Sequence, residues 1–442
     1  MGTVRAALAF KAPVRIALVV FGGMTALQSS ASLDLTKLAY LAVVVVCLAG
    51  ALTAVWTRRR TAQVRLAGPW IAASAALAAL LAISFLVARS DGTPITDWVR
   101  DIAAYALFAT VPVFALDPQA RSSRTLIVAM LVLAGLLGGV SWAVEWLGRR
   151  EILELPFDRF VFPSPQLPGM LYLFAVASAL TTSRRRAFWV GLAGLTLALF
   201  LVTGTRSSLL LPISALAMGV VAGKARIGTS LRVFALHGIV AVALVLAFQL
   251  GVAFAADRGS EEPVGIPVDS PSSAPDVLGD RYGSLPATIG NPVSDASIKE
   301  RLAQYEAAWR LFLSSPIVGV GPGHPIDWVD VSGYPRSAFT ADTPLVMPAK
   351  FGLLGILVFI SFGLAYAATV KTALRRDRRS PVTLTLAGFG FLAIVGIPLG
   401  FLIEDKGSSL AIMLLLALAF TARSPDTDDR AGTSVAGTSP RS

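Results

Sequence analysis

The chain has 442 residues, 55% of them hydrophobic and only 15% charged, with a formal net charge of +11. A soluble globular domain, in which about a quarter of the residues are charged, is excluded, and mean hydropathy is +0.69. A nucleic-acid binder is disfavoured too, because the basic residues are spread over short breaks between apolar runs instead of forming one patch.

Apolar runs close to the ~20 residues that cross a bilayer recur along nearly the whole chain. They do not alternate like barrel strands, so helices, whose backbone groups bond within their own segment, are predicted. In chain order the predicted spans are 13–28, 38–56, 69–88, 101–116, 125–147, 165–182, 187–203, 208–222, 233–255, 345–370, 382–403 and 408–421. The fold class is all-α: a polytopic transmembrane helix bundle of about 12 spans, with one long extracytoplasmic loop carrying short helices. Residues 1–255 hold the first nine spans, 256–344 the loop, 345–421 the last three spans, and 422–442 a polar tail read as disordered and cytoplasmic.

The breaks assign the two sides. Alternate ones carry clusters such as Arg58, Arg59 and Arg60, then Arg184, Arg185 and Arg186, then Lys371, Arg375 and Arg376. The opposite breaks carry scattered single charges such as Lys37, Arg89 and Arg206. Lys/Arg excess marks the cytoplasmic side, so both termini read as cytoplasmic and the long loop as exported. The single cysteine, Cys47, falls in the second span, so no intrachain disulfide can staple that loop.

Within the loop, 256–297 is rich in Pro, Gly, Ser and Asp and reads as a mobile linker. Order is predicted to resume over 298–344. Ser297 with Glu300 fits a capping box, and Leu302, Tyr305, Trp309 and Phe312 form one apolar stripe of a helix that Pro316 ends. Arg310 can pair with Glu306 at i−4. Arg301 falls on the other flank of the stripe, directed toward the membrane, and is the candidate for an external anion. A snorkelling surface arginine is the plainer alternative.

Gly319, Gly321 and Gly323 then alternate with Val320 and Pro322. Without Cβ atoms they let the backbone approach a ligand or a neighbouring helix closely. No βαβ setting surrounds them, so they are not a dinucleotide fingerprint. His324 follows at once. The only other histidine, His237, opens the ninth span near the cytoplasmic side, so the two cannot share a metal, and neither metal nor cofactor is predicted.

Thr203–Ser208 separates two short spans and carries Arg206 on the side that should lack positive charge. It reads either as a tight turn with a snorkelled arginine or as a diphosphate contact, since arginine offers phosphate a bidentate fork. Ser207 and Ser208, opening the next helix, would add amide donors to the same anion. Glu145, Asp342, Glu404 and Asp405 are the outer-side carboxylates that could serve as a base toward an acceptor hydroxyl. Pro344 and Pro348, just before Lys350 and Phe351, predict a distorted entry into the tenth span.

Three of these stretches, in this order, resemble the O-antigen ligase/O-antigen polymerase family of bacterial envelope proteins. They are TGTRSSLLLPISALAMG at 203–219, RLAQYEAAWRLFLSSPIVGVGPG at 301–323 and ADTPLVMPAKFGLLGILVFI at 341–360. The resemblance implies a multi-spanning, metal-independent glycosyltransferase of the bacterial plasma membrane. Such an enzyme moves a glycan from an undecaprenyl-diphosphate carrier to an acceptor hydroxyl on a glycan, lipid or protein at the outer face. Arg206 and Arg301 match arginines thought to hold the diphosphate. Counting back from Gly352, the family's histidine position falls on Ala341, which leaves Asp342 or His324 as the base and Ser207, Gly321, Gly323 and Glu145 in support. Two other readings stay open, a transporter or lipid flippase and a non-catalytic scaffold of envelope assembly. The chain shows no convincing internal repeat of the transporter kind, and its ionisable groups gather at the outer rim.

Overall fold

The computed structural model describes residues 11–26, 35–57, 62–117, 123–148, 166–202, 210–223, 227–259, 296–341, 343–396 and 406–421. It is 84% helical, with 13 helices among the described residues. They are α1 (Ala12–Ala26), α2 (Leu35–Thr57), α3 (Ala62–Ser90), α4 (Ile95–Ala115), α5 (Arg124–Gly148), α6 (Gln166–Thr181), α7 (Arg186–Val202), α8 (Leu210–Ala222), α9 (Ile227–Gly259), α10 (Ala296–Ser314), α11 (Val346–Arg376), α12 (Pro381–Gly396) and α13 (Lys406–Thr421). Among the described residues one hairpin, β1 (Ile326–Val329) and β2 (Pro335–Ala338), pairs antiparallel with Ile326 opposite Ala338.

Each predicted apolar stretch forms a helix among its described residues. Six helices are long and apolar enough to cross a membrane by length and composition, and six more are apolar but run only 10–17 residues. This is the composition of a multi-pass membrane protein. Helices apolar on all sides are those a bundle can bury completely. Accordingly α6 is buried from Gln166 to Leu180, and α13 is buried over Ser408–Leu418. The more lopsided helices sit outside them: α11 turns Phe351, Phe359 and Phe362 inward and Leu353, Leu357 and Ile360 outward.

Long-range contacts fix which helix ends lie together. Trp70 near the start of α3 donates to Thr369 Oγ1 near the end of α11 (2.8 Å), so these two run antiparallel. Arg15 of α1 pairs with Asp117, just past α4, both side chains being buried. At the other end of the bundle Asp101 of α4 pairs with Lys350 of α11, and Ser409 Oγ of α13 donates to the Ala104 carbonyl (3.5 Å). That second end carries α10 and the hairpin.

Several sequence expectations shift. Helix α10 already includes Ala296, and the Glu300 carboxylate accepts from Trp328 Nε1 (2.6 Å) and the Val331 amide (3.3 Å). Ser297 therefore lies inside the helix and not at its N-cap, and the carboxylate expected to close the capping box bonds an indole in the hairpin instead. The distortion expected at Pro344 and Pro348 lies instead at Gly352, the one residue inside α11 with non-helical backbone (φ 62°, ψ −156°). His237 does not open its helix, since α9 starts at Ile227. It is buried there, its Nδ1 bonded to the Val233 carbonyl (2.7 Å) and its Nε2 to the Tyr172 hydroxyl (3.0 Å). A carbonyl can only accept, so Nδ1 carries the proton and Nε2 accepts from tyrosine. The predicted linker (all but its first four and last two residues) and the tail 422–442 lie outside the described residues.

Candidate functional site

The site is built where the Gly-rich turn meets the broken helix. Past α10 the chain runs back along α11 as a short ladder. Val320 N–H donates to the Ala349 carbonyl (2.9 Å), Gly321 N–H to Lys350 (3.0 Å), Leu353 N–H to Pro316 (2.8 Å) and Leu354 N–H to Ile317 (3.2 Å). The break at Gly352 frees amides and carbonyls of α11, and the turn satisfies them; in lipid such groups cannot be left open. The glycines are what let two backbones approach this closely. A Cβ on Gly319 would stand 2.2 Å from the Lys350 carbonyl carbon, and one on Gly352 2.3 Å from that of Ile317. Both residues also have positive φ, where a side chain is strained.

Gly321 and Gly323 serve the same end. Gly321 packs on Ala88 at the end of α3, and a Cβ on Gly323 would lie 2.7 Å from Thr93 and 2.8 Å from the Trp98 amide. Of the two partners expected for these glycines, a ligand or a helix, the structure supplies the helix. His324, half-buried, is thereby set beside the entry to α4.

A buried ion pair locks this arrangement. Lys350 Nζ contacts Asp101 Oδ1 and the Phe339 carbonyl, and Asp101 Oδ2 accepts the Gly323 amide (2.7 Å). One carboxylate thus ties α4, α11 and the turn together. The lysine side chain is 1% exposed and the aspartate 5%. Next to it Arg100 lies over the Phe339 ring at 3.8 Å, within cation–π range. Sequence reasoning missed this pair. The signal was there, a lysine and an aspartate in apolar surroundings, but its meaning rested on two residues 249 positions apart meeting.

Helix α10 lies against the hairpin and the start of α11. Ala307, Ile326, Ala341 and Val346 form a small core of their own, with Leu311 and Trp328 packed on it. Ala341, which the resemblance alone pairs with a histidine, is therefore taken up by packing. The face of α10 used inside the protein is the one with Gln304, Ala307 and Ala308, all buried, while Leu302 and Trp309 of the apolar stripe are exposed. Arg310 pairs with Glu306 as expected (2.5 Å). Arg301 acts electrostatically on Tyr305, whose hydroxyl is bonded to the Thr343 side chain. Burial pushes that phenol above its ordinary value, against the opposing effects of Thr343 and Arg301.

Among the sequence candidates, Gly321, Gly323 and His324 are thus gathered at one bundle end, and Arg301 stands on the helix packed beside them. Arg206, Ser207, Asp342, Glu404 and Asp405 lie outside the described residues, as does the side chain of Glu145 at the end of α5. Among the described residues no group of three or more His, Cys, Asp and Glu side chains is placed to hold a metal ion. The chain matches no protein-family model and no curated protein.

Proposed function

We propose that the protein is a membrane glycosyltransferase of the O-antigen ligase/polymerase type. It would transfer a glycan from an undecaprenyl-diphosphate carrier to an acceptor hydroxyl at the outer face of the bacterial plasma membrane. The observation that carries the reading is the joining of two of the three family-like stretches. Residues 301–323 and 341–360 interlock through Val320–Ala349, Gly321–Lys350 and Tyr305–Thr343. The two stretches thus form one unit, as a shared site requires. In this reading Arg301 and Arg206 hold the diphosphate leaving group, with Tyr305 as a further donor. The base is Asp342 or His324, the position of the family's histidine being filled by Ala341, and Glu145 and Ser207 stand in support.

The test is glycan transfer in membranes supplied with polyprenyl-diphosphate-linked glycan. Arg301→Ala and Arg206→Ala should each insert normally yet lose about 100-fold or more of the rate, the usual cost of removing a donor that stabilises developing charge. Wild-type transfer in both variants would overturn the assignment. If deletion of the gene instead leaves the lipid-linked glycan on the cytoplasmic leaflet, the protein is a flippase.

A further inference from the structure

Only part of the circumference of α10 faces the protein. Gln304, Ala307 and Ala308 are buried, and Glu300 on the same face bonds to Trp328. On the far side Leu302, Trp309 and Leu313 are between 46% and 58% exposed. At 100° per residue these three fall within about 40° of one another, so they make one line of large apolar side chains. Exposed Lys299, Glu306 and Arg310 border it on one flank.

This line does not end with the helix. Because the Leu353 amide donates to the Pro316 carbonyl (2.8 Å), Ile317 is laid next to Leu353, and both are exposed. The outward ridge of α11 continues from there through Leu357 and Ile360. By length and composition α11 can cross a membrane, so acyl chains are what its outward ridge would meet, and exposed Ile317, three residues past the end of α10, carries apolar surface from that helix to the head of the ridge.

We propose that α10 is an interfacial helix lying in the bilayer surface. Leu302, Trp309 and Leu313 enter the acyl region, and Lys299 and Arg310 stay at the headgroups. The chemistry fits that place: a lengthwise apolar face bordered by cations binds lipid interfaces, tryptophan concentrates there, and lysine and arginine stems reach back to water. The helix then acts as a float that sets the depth of the Gly-rich turn. If the transferase reading holds, on which this clause alone rests, the float also keeps Arg301, on the other flank, at the level of a lipid diphosphate.

The test uses the full chain in phosphatidylethanolamine/phosphatidylglycerol vesicles, with single nitroxide-labelled cysteines at Leu302, Leu313, Lys299 and Arg310. Cys47, the only native cysteine, is buried in α2 and is replaced by alanine. Collisions with oxygen should exceed those with an aqueous nickel chelate at Leu302 and Leu313, and the order should reverse at Lys299 and Arg310. Nickel exceeding oxygen along the stripe overturns the proposal. Protection from both reagents overturns it as well, in favour of a second copy if dipolar broadening appears and of the chain's own loop if it does not. A cysteine-free check uses headgroup-proximal brominated lipid: Trp309→Phe should remove a quenched fraction of tryptophan emission, and an unchanged quenching profile counts against the float. Both readouts are independent of glycan transfer, so their failure leaves the transferase assay to stand or fall separately.

Discussion

Lys350 and Asp101 carry opposite charges into a space that excludes water, and such a pair behaves asymmetrically under mutation. Removing one partner leaves the other charge buried alone, a cost of about 3–5 kcal/mol, whereas replacing both with apolar groups of similar size is often neutral. Lys350→Met should therefore sharply lower the thermal stability of the detergent-solubilised protein, and Lys350→Met/Asp101→Leu should recover most of it. Equal losses in the single and double variants would mean that the pair adds net stability beyond its own desolvation. Gly352 and Gly319 are stricter. No rotamer change relieves a Cβ placed 2.2–2.3 Å from a backbone carbonyl carbon, so Gly352→Ala should give protein that fails to accumulate in membranes. Gly319, with Gly321 and Gly323, was legible from its spacing as a point of close approach, whereas Gly352 was not. What the three approach was not legible either, because that depends on a break in a helix 33 residues further on than Gly319.

At the scale of the element, the hairpin depends on one carboxylate. Asp330 accepts the Ser332 and Tyr334 amides (each 2.9 Å) and Arg336 Nε (2.9 Å). The Tyr334 amide, with Arg336 and Ser332, holds its carboxyl below the ordinary 3.8. A pKa lower in the folded than in the unfolded state stabilises the fold above the unfolded value and ceases to do so as pH falls through the folded one. Protection of the Ser332 and Tyr334 amides, measured against their intrinsic exchange rates, should thus persist above about pH 4 and fall away below the ordinary carboxylate range, while Asp330→Ala should lose it at every pH. Helix α10 shows the limit of periodicity. The stripe Leu302–Tyr305–Trp309–Phe312 was readable, as was the Arg310–Glu306 pair. The face that packs inside, however, is the small-residue face of Ala307 and Ala308. Hydrophobic spacing reports that a helix has an apolar side without saying whether protein or lipid covers it.

For the whole molecule, α4 shows how the bundle is held. Asp101 and Asp117 are sixteen residues apart, about 24 Å along a helix, and each is paired with a cation from a different helix. The apolar length between them approaches the ~30 Å hydrocarbon core, so each pair sits near one edge of the span. The alternation of basic breaks predicts which edge is which. In intact cells an impermeant thiol reagent should label Asp327→Cys, on the exposed hairpin, and should leave Arg378→Cys, in the basic break after α11, unlabelled until the membrane is opened. Labelling of both from outside would undo the assignment of sides.

Composition and run length alone determined that the chain is a helical membrane protein and where its apolar helices lie, because a backbone in lipid has to close its hydrogen bonds locally. Periodicity and spacing likewise marked the amphipathic helix and the turn after it. Only the tertiary structure decided that the turn repairs a break at Gly352, that Lys350 meets Asp101, that Ala341 belongs to a small core, and that Leu302, Trp309 and Leu313 of α10 face away from the protein while Tyr305 turns toward Thr343. Each of these joins residues far apart in the chain, and pairing across such distances is set by the packing of whole helices, which local sequence does not encode.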